Sequence, residues 1–187
     1  MPFTFQSTRI KDVILIEPRS FPDERGYFFE NYKKSDFIAN GITYEFVQDN
    51  TSKSEKGVIR GMHFQAPPFE QGKLVRAVQG EILDVAIDIR NGSPTYGHWV
   101  SEVLTSENKK MLWVPPGFAH GFLTLTDALV HYKVTKEYNK DSEGGIIWND
   151  PSLRIDWTID SPSLSPKDTD WTNFRLFKSP FNYESDL

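Results

Sequence analysis

His63 stands inside an alternating stretch, Gly57-Val58-Ile59-Arg60-Gly61-Met62-His63-Phe64-Gln65, with Arg60 just before it and Lys73 shortly after. A half-buried strand points aliphatic residues one way and solvated polar residues the other. Strict alternation gives this strand an odd-numbered face of Ile59, Gly61, His63 and Gln65, apolar at one end and polar at the other. The next strand, Gly72 to Val78, carries Lys73, Val75 and Ala77 on one face. An imidazole and an ammonium at the polar ends of neighbouring strands suggest a cleft with titratable walls. Neutral imidazole titrates near working pH and suits the role of a general base.

The bulk of the chain narrows what such a cleft can serve. A length of 187 residues suits one domain, residues 1–187, with a substantial core. The chain is 38% hydrophobic and 25% charged, which argues against disorder, and its 14% aromatic content favours strands or a stacking site. A net charge of -5 leaves no basic surplus for neutralising phosphates, so nucleic acid is not the expected partner. Cysteine is absent, which excludes disulfides, thiolate catalysis and zinc–thiolate sites. Neither a secretory signal nor an apolar run of membrane-spanning length is visible, and a cytoplasmic protein is expected.

Short strand-like runs punctuated by turn residues extend along most of the chain. They include Val13 to Glu17, Tyr44 to Asn50, the strands of His63 and Lys73, and Glu81 to Arg90. In the last, Leu83, Val85, Ile87 and Ile89 oppose Ile82, Asp84, Ala86 and Asp88. Further strands are predicted near 98–104, 109–115, 120–126 and 128–136. Phe21 to Gly26 reads as a loop, Ser35 as the cap of a short helix ended by Gly41, and Ser165-Pro166-Lys167-Asp168 as the start of a second short helix. Such a density of short strands predicts an all-β sandwich or barrel with a few short helices.

Pro115-Pro116-Gly117-Phe118-Ala119-His120 carries a Pro-x-Gly-x-x-His spacing that resembles the second motif of the cupin superfamily, with the first motif around His63. Metal-binding cupins use two histidines and a carboxylate from the first motif. Here Gln65 follows His63 where a second histidine is expected, and His98 and His131 stand outside both motifs. Two imidazoles make a poor site for a first-row metal, so a metal-free barrel is expected.

Five segments sharpen the likeness: Asp23-Glu24-Arg25-Gly26, Phe46 to Asn50, Arg60 to Gln65, Gln71 to Arg76, and Pro116 to Phe122. Tyr132-Lys133, Tyr138, Trp148-Asn149-Asp150-Pro151, Ile155-Asp156-Trp157 and Leu164 to Asp168 follow in order. Over roughly residues 10 to 170 the chain resembles the dTDP-4-dehydrorhamnose 3,5-epimerase family. The resemblance implies a cupin-type jelly-roll barrel, a homodimer, no cofactor and a dTDP-sugar substrate. An N-terminal strand around residues 3–9 is a candidate for exchange within the dimer. It also implies His63 as the base, Asp168 as its hydrogen-bonding partner, Lys73 as the positive charge facing an enolate, and Tyr132 as the acid opposite His63. Implied substrate-binding residues are Arg25, Glu30, Gln48, Asn50, Arg60, His120, Tyr138, Glu143 and Lys167. The arginine fork among them suits phosphate oxygens.

Plainer readings compete for several of these residues. Locally, Asp168 is the third-position carboxylate of a capping box. Lys73 is a snorkelling lysine, and the tyrosines are packing residues with wet hydroxyls. Asp84 points into the barrel by alternation and competes with Asp168 for His63. At the level of activity, the alternatives are a mono-epimerase or 3,4-ketoisomerase on a related 4-keto sugar nucleotide, and a non-catalytic sugar-binding jelly roll.

Overall fold

A computed structural model describes residues 2–184; Met1 and residues 185–187, the end of the C-terminal tail, lie outside the described residues. The chain opens with the antiparallel pair β1 (Phe3–Ser7) and β2 (Ile14–Pro18), then a small hairpin of β3 (Phe21–Asp23) and β4 (Gly26–Phe28), then helix α1 (Lys34–Ala39). Four strands follow: β5 (Gln48–Ser54), β6 (Ile59–Gln65), β7 (Lys73–Gln79) and β8 (Glu81–Asp88). Four more complete the barrel: β9 (Trp99–Thr105), β10 (Met111–Val114), β11 (Phe118–Thr124) and β12 (Ala128–Val134). The short strand β13 (Glu143–Gly145) and the single-turn helix α2 (Pro166–Thr169) come last. No helix among the described residues is long and apolar enough to cross a membrane.

The strands form two facing antiparallel sheets, ordered β1-β2-β10-β7-β12-β5 and β13-β6-β11-β8-β9. The inner orders β5-β12-β7-β10 and β6-β11-β8-β9 make a jelly roll, the cupin-type barrel. Alternation in β8 explains how it is held. Ile82 and Ala86 enter the core between the sheets, with Val75, Ala77, Val100, Leu112, Phe122 and Val130. Leu83, Val85, Ile87 and Ile89 face outward, where Leu153, Trp157 and Phe181 of the C-terminal segment cover them. The strand is apolar on both faces because both are buried. A third cluster packs α1 through Phe37 onto the outer face of the larger sheet.

Strict alternation fails in β6, the strand that matters most. His120 pairs with His63, but Phe122 pairs with Arg60, so Gly61 and Met62 together oppose the single residue Gly121. This bulge reverses the parity of the strand. Ile59, Met62 and Phe64 all pack in the outer cluster, while Arg60, His63 and Gln65 line the space between the sheets. The odd-numbered face expected from alternation is therefore broken: Ile59 lies on the side opposite His63. Glycine is required at the bulge. At Gly61, with φ +146°, an added Cβ would stand 2.5 Å from Gly121 Cα.

Smaller departures have local causes. Phe21 to Gly26 is a hairpin rather than a loop. The extended segment pairs from Gln48 to Ser54, later than expected, because its register is set against β12 from Val134 to Ala128. Lys33 precedes α1 without a side-chain cap, and Ser35 lies inside the helix, so Ser35 is not the cap. Gly41, at φ +86°, does follow its end.

Gly61→Ala should destabilise the fold by about 2 kcal/mol or more, combining overpacking against backbone with a disfavoured φ. The check is a lower urea midpoint at unchanged m-value.

Candidate active site

A cavity of about 420 Å³ opens between the two sheets. From the larger sheet, β5 contributes Gln48, Asn50 and Ser52 at a spacing of two, β12 contributes Tyr132 and β7 contributes Lys73. The facing sheet supplies Arg60, His63 and Gln65 from β6, His120 and Phe122 from β11, and Glu143 from β13. Tyr138, Ser165, Lys167 and Asp168 close the mouth. Eleven residues expected in the site, all except Arg25 and Glu30, thus line one cavity.

Arg25 and Glu30 are not brought to this cavity. Arg25 sits at the tip of the β3–β4 hairpin, its side chain 89% exposed and paired with Asp23 at 2.6 Å. Glu30 lies in a separate depression with Arg19, Phe21, Phe28 and Lys33.

His63 and Asp168 meet at 2.5 Å between Nε2 and Oδ1. Asp168 Oδ2 accepts from the Ser165 hydroxyl at 2.9 Å, and the Ser165 side chain also caps α2 by accepting from the Asp168 backbone N–H. Burial works to raise the Asp168 pKa, but the hydrogen bonds from His63 and Ser165 outweigh it and hold the group below its ordinary value. An ionised carboxylate only accepts, so His63 Nε2 carries a hydrogen, and in the neutral ring the lone pair then belongs to Nδ1. That is the tautomer a base needs. Only half of the expected capping box forms: the Asp168 backbone N–H donates to the Ser165 side chain, while the Asp168 carboxylate turns to His63 and the Ser165 hydroxyl instead of the Ser165 backbone N–H.

Asp84 does not compete for His63. Its Oδ1 accepts from His120 Nε2 at 2.8 Å, forming a second, more deeply buried pair on β8 and β11. Burial pushes the His120 pKa down against the pull of Asp84 and keeps that imidazole neutral at pH 7. Lys73 is crowded by protein, and desolvation lowers its pKa to about 8 even though Asp84 and Glu143 favour the charged form. Desolvation also raises the pKa of Tyr132 and keeps its phenol protonated. At the mouth, Glu143 accepts from Lys167 at 2.6 Å and from the Tyr138 hydroxyl at 3.2 Å. Among the described residues no group of three His, Asp or Glu side chains is arranged to hold a metal ion.

The family profile of dTDP-4-dehydrorhamnose 3,5-epimerase matches residues 7–175. The chain belongs to this family. It is 52% identical over 169 residues to the dTDP-4-dehydrorhamnose 3,5-epimerase of Shigella flexneri, covering 89% of this chain and 93% of that one. Its likeness to the Pseudomonas aeruginosa enzyme of that name is 54% over 162 residues, 85% of this chain and 89% of that one. The crystal structure of the Legionella pneumophila dTDP-6-deoxy-D-glucose-3,5-epimerase in complex with dTDP-4-keto-L-rhamnose superposes with a TM-score of 0.94 at 44% identity, covering 98% and 100% of the two chains. A 3'-monoepimerase from Streptomyces bikiniensis, in complex with dTDP-quinovose, superposes at 0.85 and 32% identity over 90% and 86%. The chain is an enzyme of an epimerase family on a cupin-type barrel.

Phe64, Gln65, Gln71 and Phe122 also line the cavity without having been expected there, and three further contributors are instructive. Ser52 continues the every-second-residue row of Gln48 and Asn50, and that period would have found it. Ser165 was legible as a cap, not as a donor to Asp168. Trp171 has no motif; its ring stands edge-on to His63 at 6.0 Å between centroids and packs over Gly145.

The ¹⁵N shifts of the His63 ring should report the Nε2–H tautomer in the parent and a tautomer mixture in Asp168→Asn. A parent spectrum of the Nδ1–H form would refute this arrangement.

Proposed function

We propose that this chain converts dTDP-4-dehydro-6-deoxy-D-glucose to dTDP-4-dehydro-L-rhamnose by inverting carbons 3 and 5, as a single-domain, cytoplasmic homodimer. The observation that carries this reading is that His63 and Tyr132 enter one cavity from opposite sheets, with Lys73 between the same walls. Both carbons lie alpha to the C4 ketone, so loss of either proton gives an enolate. His63 Nδ1 takes the proton on one face and passes to imidazolium, which Asp168 stabilises. The Lys73 ammonium meets the charge that develops on the C4 oxygen. Tyr132, a neutral phenol, returns a proton to the other face, and the inverted centre results.

The remaining wall suits a nucleotide diphosphate. Arg60 donates from Nε to Ser54 Oγ at 2.9 Å and from one terminal nitrogen to the Lys53 carbonyl at 3.4 Å, which leaves its remaining guanidinium hydrogens for phosphate oxygens. Lys167 and Tyr138 at the mouth, with Gln48 and Asn50 along β5, give further charge and donors beside it. A homodimer is supported by the β3–β4 hairpin, where Tyr27 is 59% and Phe28 66% exposed beside Arg25. Such aromatic exposure fits contact with a second copy, and that copy's cavity is where Arg25 and Glu30 would act.

One second reading is favoured by a specific observation: the Streptomyces bikiniensis monoepimerase shares this architecture. Turnover of the 4-keto nucleotide in deuterated water separates the two. Label at carbons 3 and 5 is expected; label at one carbon supports mono-epimerisation, and none ends the epimerase reading. His63→Ala should lose about 10²- to 10⁴-fold in turnover with dTDP affinity near normal.

The pH profile tests Lys73 separately. With its pKa at about 8, the ammonium is complete below pH 7 and is lost as the pH rises through 8. The free-enzyme kcat/KM should therefore fall on the alkaline side near pH 8. Lys73→Arg, weaker in turnover, should lack that limb, because a guanidinium does not deprotonate there.

A further inference from the structure

Asp84 is fully buried, yet the steps above give it nothing to do. Two acids line the cavity, Asp168 and Glu143, and a third, Asp84, lies behind His120; five of their six carboxylate oxygens are committed. Asp168 is held by His63 and Ser165, Glu143 by Lys167 and Tyr138, and Asp84 Oδ1 by His120. The sixth, Asp84 Oδ2, is buried and has no hydrogen-bond partner among the described residues. A desolvated carboxylate oxygen left bare is costly unless positive charge stands near it.

Lys73 is the reciprocal case. It enters from the opposite sheet, and among the described residues it has no carboxylate at ion-pair distance. Asp84 is the strongest influence favouring its charge, Glu143 is second, and Lys167 opposes. His63, His120, Arg60 and Tyr132 complete the titratable surroundings from β6, β11 and β12, with Asp168 beyond His63.

We propose that Asp84 is a positioning residue for the reaction: Oδ1 fixes His120, and Oδ2 supplies the counter-charge that lets Lys73 stand in the cavity as an unpaired ammonium. The separation is what makes this useful. A direct ion pair would tie up the ammonium hydrogens, whereas a carboxylate beyond hydrogen-bond reach stabilises the charge and leaves all three donors free for an oxyanion. The proposal rests on the epimerase reading for its purpose but not for its measurement.

The test is the titration of Lys73 in the full-length chain carrying ¹⁵N,¹³C-lysine, its signal assigned by its loss in Lys73→Arg. In Asp84→Asn the midpoint should fall by about one pH unit or more. At pH 8, where a one-unit fall takes the ammonium form from about a half to about a tenth, kcat should drop by roughly fivefold with KM and dTDP affinity little changed. His120→Gln keeps the Asp84 carboxylate, so the Lys73 midpoint should not fall in it. An unmoved midpoint in Asp84→Asn overturns the proposal, and so does an equal fall in His120→Gln. If Asp84→Asn does not fold, thermal melts decide instead. Lys73→Met/Asp84→Asn should melt above Lys73→Met, because the stranded carboxylate is gone; an equal or lower melting temperature overturns the proposal. A parent enzyme that exchanges no deuterium into the 4-keto nucleotide, with the Lys73 midpoint still lowered by Asp84→Asn, would remove the epimerase reading and leave the charge-holding role standing.

Discussion

A histidine acts as a base only when one ring nitrogen is committed as donor and the other is left free. The hydrogen bond from His63 Nε2 to Asp168 makes that commitment, and much of the C-terminal segment exists to deliver the carboxylate. Ser163 pairs with Val58, and Thr172 with Ile146, so the chain on both sides of α2 is laid against the β6 sheet. Ser165 caps the helix and donates to the acid within it. Phe174, Phe177 and Phe181 then anchor the tail in the outer cluster, with Trp171 edge-on to the imidazole. A tail that looks accessory in sequence therefore forms one wall of the cavity.

The jelly roll contributes something a single sheet does not. Inverting a carbon centre calls for a base and an acid on opposite faces of a planar enolate. Two sheets closing on one cavity present side chains from opposite sides without any loop having to fold over. The bulge at Gly61–Met62 completes this geometry, because it turns Arg60 and His63 inward together while Ile59 and Met62 stay in the outer core.

The barrel itself was legible. Alternation in β8 and β7 put the right residues on the right faces, and the Ser-Pro-x-Asp start of α2 is where the sequence pattern puts it. The odd-numbered face of β6 was misread because a bulge depends on the partner strand, where Gly121 faces two residues, and no pattern within β6 records that. The choice between Asp84 and Asp168 was undecidable from spacing, since both can point inward; β8 lies beside β11, so Asp84 meets His120, while Asp168 arrives from 105 residues downstream of His63. The gathering of most of the site came from ordered motifs. Arg25 falls outside the cavity at the exposed tip of the β3–β4 hairpin and Glu30 in a depression just beyond that hairpin, and position in a motif carries no information about where such a segment leans.

Burial acts on the groups around the cavity in directions set by their charge type. It pushes the pKa values of Lys73 and His120 down and that of Tyr132 up, disfavouring the charged form in each case. One dry environment therefore yields a neutral acid, a neutral imidazole and a barely held ammonium. Only the last must be charged to meet an oxyanion, and it is the one group whose form depends on a distant carboxylate rather than on burial alone. The same desolvation that sharpens the ammonium's pull on an enolate also threatens to discharge it. A buried acid without a hydrogen bond on one oxygen is how such a barrel keeps both properties together.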